Sequence, residues 1–254
     1  MLAPDEGLVG TRRVTPTRRV PTNPSLRFCA IIFGLMTMMN TTTQLTPELI
    51  HSALTLPAFD HDEANRQFAS MSRRQRVRPV SLPGQPRVAA VLMLLYPIEQ
   101  EWHLLLTKRR GDLNSHAGQI SFPGGRQEPA EPLEQTALRE AHEEVAVMPG
   151  EVRLIGRMEA LYIPPSDFQV HPFVGWSTRR PAFRPAAGEV AEIIETPLSL
   201  LNDPATLATE PWQIRGQELD ITFFRVGPHK VWGATAIMIN EFLNRLRLVA
   251  NSSM

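Results

Sequence analysis

A helix that is small and apolar on one side and acidic on the next can lodge in few places, and residues 133 to 145 of this chain spell out such a helix. At about 100° per residue, Glu143 lies roughly 60° to one side of Glu140 and Glu144 roughly 40° to the other, so the three carboxylates share about a 100° arc. Ala137, Leu138, Ala141 and Val145 fall on the neighbouring arc. The small face can approach a sheet closely while the acidic face stands at its margin. Like charges at i,i+4 cost a helix a few tenths of a kcal/mol per pair and ask for compensation. Arg139, four residues before Glu143, supplies part of it. A divalent cation such as Mg²⁺ or Mn²⁺ would supply more, because hard cations prefer oxygen ligands and keep waters that can become nucleophiles. Taken alone, the run reads more readily as a solvated, charged helix face than as a metal site.

The spacing around the helix narrows the choice. Gly125 is followed after five residues by Glu131, then after seven more by Arg139-Glu140-Ala141, a variable position, Glu143-Glu144, another variable position and Ala146-Val147. This run resembles the signature of the Nudix hydrolases, with one departure: Ala146 stands where the family pattern has Gly. A Gly there suits a left-handed helix end, where Ala costs roughly 1 kcal/mol. The departure touches helix termination and leaves the acids in place.

A second stretch, residues 105 to 128, reads LLTKRRGDLNSHAGQISFPGGRQE. Its Leu105-Leu106-Thr107, Lys108-Arg109, Leu113, His116, Gly118 and Phe122-Pro123-Gly124-Gly125 resemble the extra motif of the coenzyme A pyrophosphatase branch of that family. PFVGW at 172 to 176, EVAEIIETPL at 189 to 198 and VWGATA at 231 to 236 resemble further segments of the branch. Asn114 departs from the pattern, which carries Arg there. An Arg can grip a phosphate bidentately and Asn cannot replace its charge, so the departure bears on substrate choice more than on reaction type.

Composition agrees with a soluble enzyme. Basic and acidic residues balance at 26 each, so no global field favours nucleic acid. Charge is local: residues 123 to 145 carry six carboxylates against two arginines, while 66 to 78 carry five arginines and no acid. RRQRVR at 73 to 78 reads as a solvated connector ahead of a polyanion contact. The single cysteine, Cys29, excludes an intrachain disulfide framework and suits a reducing, cytoplasmic compartment.

Three segments follow from the pattern. Residues 1–40 are a poorly structured leader, basic and proline-containing. Its apolar run from Cys29 to Met39 is shorter than the ~20 residues a bilayer crossing needs. The methionines at 36, 38 and 39 favour reading it as an extension upstream of the natural start. Residues 41–84 hold a helix opened by Thr46-Pro47-Glu48, as N-cap, first-turn proline and acidic first turn, running through Leu54, and then a connector over 57 to 86. Residues 85–250 form the main domain. Strands are predicted at 87–96, 101–109 after a turn at Pro97, 117–122, 151–163, 168–177 with Pro172 at an edge or bulge, 188–197, 211–216 and 219–226. Helices are predicted from about Leu133 to Val145 and, amphipathic, over 233–250. The order implies a mixed sheet between helices, an α/β or α+β sandwich. That is also the fold the resemblance implies.

The resemblance implies a metal-dependent pyrophosphatase. Its expected metal ligands are Glu140, Glu143 and Glu144, holding Mg²⁺ or Mn²⁺, with Arg139 as an orienting ion pair or structural residue. Glu189 is the first candidate for the base that activates water, and Glu192 a weaker one. Substrate contacts are expected from Lys108, Arg109, His116, Gly118 and Phe122, with Gly124 and Gly125 forming a tight turn that brings backbone close to the helix. His116 reads equally as a structural histidine. Trp102, Trp176 and Trp232 are more in keeping with core packing than with adenine stacking. The partner is a small nucleotide, with neither nucleic acid nor membrane, and a homodimer is left open. The predicted reaction is hydrolysis of coenzyme A or its thioesters at the diphosphate. Another nucleoside diphosphate derivative and a noncatalytic nucleotide-binding module are the rivals.

Overall fold

The computed structural model describes residues 45–68, 78, 82–111, 118–214 and 216–252. The leader, most of the RRQRVR stretch, Asn114 and His116 lie outside the described residues.

The main sheet is organised by one strand, β1 (Arg87–Ile98). On one edge it runs parallel to β7 (Phe168–Trp176). On the other it pairs antiparallel with β2 (Glu101–Arg109) and β4 (Gly124–Arg126). Beyond β2 lie β3 (Ile120–Ser121) and β8 (Val190–Pro197), and beyond β7 lie β5 (Arg153–Arg157) and β6 (Leu161–Ile163). A separate three-stranded sheet joins β9 (Leu207–Ile214), β10 (Gln217–Val226) and β11 (His229–Val231), where only additional strands were expected.

Alternation along β1 serves two cores. Ala90, Leu92, Leu94 and Tyr96 join a buried cluster with Ala137, Ala141 and Val145 of the acidic helix. Met93 and Leu95, pointing the other way, join Ile237, Ile239, Phe242 and Leu243 of the terminal helix. Helices therefore cover both faces of a mixed sheet, the α+β architecture the sequence implied.

The helices are α1 (Pro47–Leu54), α2 (His61–Ala64), α3 (Leu133–Val145), α4 (Leu198–Asn202) and α5 (Gly233–Ser252). Thr46 caps α1 as predicted, its hydroxyl accepting the Leu49 N–H at 3.2 Å. The described part of the expected connector holds structure: Asp60 caps α2 through the Glu63 N–H at 2.9 Å, and Phe68 is buried 6.2 Å from the Phe224 ring. One apolar residue among polar neighbours leaves no periodic signal. The terminal helix was expected to be amphipathic, yet even Asn240, Glu241 and Arg245 are buried, because α1 and α2 pack against α5.

Both prolines assigned special places are accommodated differently. Pro97 stays in β1, opposite Trp102, and the chain turns after Ile98, with Glu99 at φ 54°. Pro172 lies inside β7 with strands on both sides. Its carbonyl accepts the Met158 N–H at 2.9 Å, so its missing N–H falls at the break between β5 and β6. Gly124 and Gly125 form no tight turn either: they are strand residues, paired with Val91 and Ala90. The Trp102 and Trp176 rings pack against each other at a tilt, centroids 3.9 Å apart, in keeping with packing.

Candidate active site

Helix α3 ends where Ala146 adopts the left-handed conformation, φ 59° and ψ 27°, and its N–H reaches His142 O at 2.9 Å. The geometry that favours Gly is thus imposed on Ala. At the other end Pro132 offers no side-chain cap. Just ahead of the helix, Glu131 accepts Thr136 Oγ1 at 2.7 Å and the Glu128 N–H at 3.2 Å.

Glu131 is also the first partner of Arg139. The guanidinium donates from Nε to Glu131 Oε1 at 2.8 Å and from NH2 to Glu131 Oε2 at 3.1 Å, a bidentate pair. Its NH1 donates to Glu140 Oε1 at 2.9 Å and Glu143 Oε2 at 3.0 Å, and NH2 also meets Arg126 O at 3.2 Å. The Arg139 guanidinium holds Glu131 well below the ordinary carboxylate range, at about 2, and is itself pushed up. One arginine therefore ties the loop before the helix, strand β4 and two of the three acids together. Glu131 belonged to the recognised spacing but was not assigned to the site. Its eight-residue offset from Arg139 is the signal that marks it.

Glu144 is the buried member of the trio, 6 % exposed, with Oε2 accepting the Gly124 N–H at 3.3 Å. Burial pushes its carboxyl up to about 8; Glu140 and Glu189 push the same way, while the Gly124 N–H and Arg109 oppose. Glu140 is raised for the same first reason, burial, against the pull of Arg139. The glycines make this crowding sterically feasible. A Cβ on Gly125 would stand 2.4 Å from Glu140 Oε2, and one on Gly124 would stand 2.5 Å from Ala90 O. Bare backbone is what lets α3 lie on β4 with a carboxylate between them.

Do these acids fit a divalent cation? Among the described residues, no three histidine, cysteine, aspartate or glutamate side chains close on a common point. Arg139 is the adjacent positive charge and draws Glu140 and Glu143 onto one nitrogen, and the Glu143 side chain is 56 % exposed. The expected trio is gathered on one stretch of helix without converging. The donor chemistry fits nonetheless: Glu144, buried, and Glu140, half-buried beside it, offer carboxylate oxygens of the kind a hard cation prefers.

At the rim, Arg109 NH1 lies 3.8 Å from Glu189 Oε2, and both groups act on the charge of Glu144. Lys108 and Glu192 go elsewhere. They pair across β2 and β8 at 4.0 Å, on the side of Leu106 and Ile194, and Glu192 also meets His229 of the second sheet at 3.0 Å. A register shift between Lys108 and Arg109 separates the neighbours. Phe122 is not a surface contact but a buried member of the terminal-helix core. Gly118, at φ 69°, donates to Arg109 O at 3.2 Å and closes the loop from β2.

Residues 86–214 match the NUDIX domain family model. Over 176 residues the chain is 38 % identical to the Nudix hydrolase NudL of Pectobacterium atrosepticum, covering 65 % of this chain and 84 % of that one. Over 186 residues it is 34 % identical to the human mitochondrial coenzyme A diphosphatase NUDT8, covering 71 % and 75 %. A probable Nudix hydrolase of Schizosaccharomyces pombe is 29 % identical over 188 residues, covering 73 % and 65 %. The chain belongs to the Nudix family. It is a Nudix hydrolase, of a class that uses divalent metal ions and acts on small nucleotides. No helix among the described residues is long and apolar enough to cross a membrane.

Proposed function

We propose that the protein hydrolyses the diphosphate of coenzyme A or its thioesters, releasing adenosine 3′,5′-bisphosphate and a 4′-phosphopantetheine species. The observation that carries the hydrolytic reading is the pair of buried Glu144 and half-buried Glu140 beneath the two glycines of β4, with Arg109 and Glu189 at its rim. The motif at 105 to 128 and the likeness to a coenzyme A diphosphatase support the substrate.

Diphosphate oxygens repel an incoming hydroxide, so the site must supply positive charge and a poised water. The residues that would hold Mg²⁺ or Mn²⁺ are Glu140, Glu143 and Glu144. The chemistry such an ion supplies when bound is neutralisation of phosphate charge and acidification of water. Arg139 fixes the rotamers of Glu140 and Glu143 through NH1 and anchors itself on Glu131. Arg109 meets a phosphate oxygen, releasing Glu189 to accept the proton of the attacking water. Gly124 and Gly125 keep the approach to Glu140 clear of side chains.

Asn114 in place of the branch's Arg favours a second reading, hydrolysis of another nucleoside diphosphate derivative such as ADP-ribose or a dinucleotide. Incubation with coenzyme A, acetyl coenzyme A, ADP-ribose, reduced dinucleotide and nucleoside triphosphates, with Mg²⁺ or Mn²⁺ and chromatography of products, separates the two. A Glu144→Gln control assigns turnover to the site. Absence of turnover with every compound, alongside tight nucleotide binding, would replace both readings with a binding module.

A further inference from the structure

The segment from Ser177 to Glu189, between β7 and β8, is fastened at three places. Near its start, Arg180 donates to Glu195 from Nε at 2.7 Å and from NH2 at 2.8 Å. The buried Tyr96 hydroxyl donates to the same carboxylate at 3.0 Å. Phe183 closes the cluster, edge-on to Tyr96 at 5.1 Å and 5.3 Å from the Arg180 guanidinium. Midway, the Arg184 and Ala186 N–H groups donate to Val145 O at 3.0 Å and Glu144 O at 2.8 Å. These carbonyls belong to the last turn of α3, where an isolated helix leaves its acceptors unsatisfied. At the far end, Arg110 holds Ala187 O through NH1 at 2.7 Å and Glu189 O through its N–H at 2.9 Å.

The segment thus runs from the Tyr96 cluster, across the turn that carries Glu144, to the rim. A partly exposed ion pair adds little to global stability. Its geometric effect is another matter: Arg180 fixes the entry of a strap whose exit is Glu189. A reacting group displaced by about 1 Å can lose on the order of a hundredfold in rate.

We propose that the Arg180–Glu195–Tyr96 cluster is a positioning device that sets Glu189 against the Glu140–Glu144 carboxylates. The proposal rests on the reading of Glu189 as the base. Arg180, Glu195 and Tyr96 are positioning residues and touch no reacting atom.

The test is a double-mutant cycle on the full chain with coenzyme A and Mg²⁺, or with ADP-ribose if coenzyme A is not hydrolysed. Arg180→Gln, Glu189→Gln and the double variant are compared for kcat and KM, with thermal unfolding as the folding control. Arg180→Lys and Tyr96→Phe serve as milder variants should Arg180→Gln fold poorly. The expected result is a fall of about tenfold or more in kcat for Arg180→Gln with KM within about twofold, and no further loss when Glu189 is already Gln. Equal proportional losses in both backgrounds, or unchanged kcat in Arg180→Gln and Tyr96→Phe while Glu189→Gln is inactive, would overturn the positioning role and leave Glu189 as base. Full activity in Glu189→Gln would overturn the base and the positioning role together.

Discussion

Replacing Glu144 with Gln should stabilise the metal-free protein while abolishing turnover, and the stabilisation should grow with pH. Gln keeps the shape and retains an oxygen to accept the Gly124 N–H, but it never ionises. Burial raises the native carboxyl from 4.5 to about 8. A group raised on folding holds its proton in the native state after the unfolded chain has lost it. Its stabilising contribution is therefore complete below about pH 4.5 and drains away as pH rises towards 8. At about 1.4 kcal/mol per pH unit, wild type should lose about 3 kcal/mol between pH 5.5 and 8.5 through this group alone. Urea unfolding in EDTA at pH 5.5, 7 and 8.5 should show the gap between variant and wild type widening by about that amount. Saturating Mg²⁺ should narrow it by compensating the buried charge. Parallel curves across the three pH values would refute the claim that Glu144 is held in a site short of positive charge.

Gly125→Ala places a methyl 2.4 Å from Glu140 Oε2, and kcat should fall at least about tenfold with a stability loss of about 1–3 kcal/mol, read from steady-state kinetics and urea melts. Ala146→Gly relieves the left-handed helix end and should raise stability by about 1 kcal/mol with unchanged kcat, measured in the same way. His61 lies 2.5 Å from Glu159 through Nε2 and 3.0 Å from Glu241 through Nδ1, and the Glu241 hydrogen bond foremost raises it above 6.5. Its contribution is complete below about pH 6.5 and fades as pH rises through the higher native value, so the Tm deficit of His61→Gln should be largest near pH 6 and shrink towards pH 9.

Much of the chemistry was legible because it is local. Helix α3 spans the predicted Leu133–Val145 and β2 the predicted 101–109, since each is one uninterrupted periodic run between turn or proline signals. The need for a special conformation at Ala146 and for bare backbone at Gly124 and Gly125 was likewise visible. What escaped depends on partners distant in sequence. Lys108 and Arg109 are neighbours of equal charge, and only the irregular pairing of β2 with β8 sends one towards His229 and the other towards Glu189. Phe122, at the end of a predicted strand, reads as a substrate contact until α5 covers it. The clasp of Arg180 on Glu195 spans fifteen residues of non-periodic chain and leaves no pattern. The failure of the three acids to converge is electrostatic: spacing puts them on one arc, but Arg139 decides where two of them point.

Strand β1 gives its even side chains to the α3 layer and its odd ones to the α5 layer, while its edge pairs with the glycine strand. A single residue inserted between Val88 and Tyr96 would invert that assignment, burying each side chain on the wrong side and dragging the Gly125 gap out from over Glu140. Loss of activity in such a variant would report a mis-set ruler, with every acid still present and none of them where the reaction needs it.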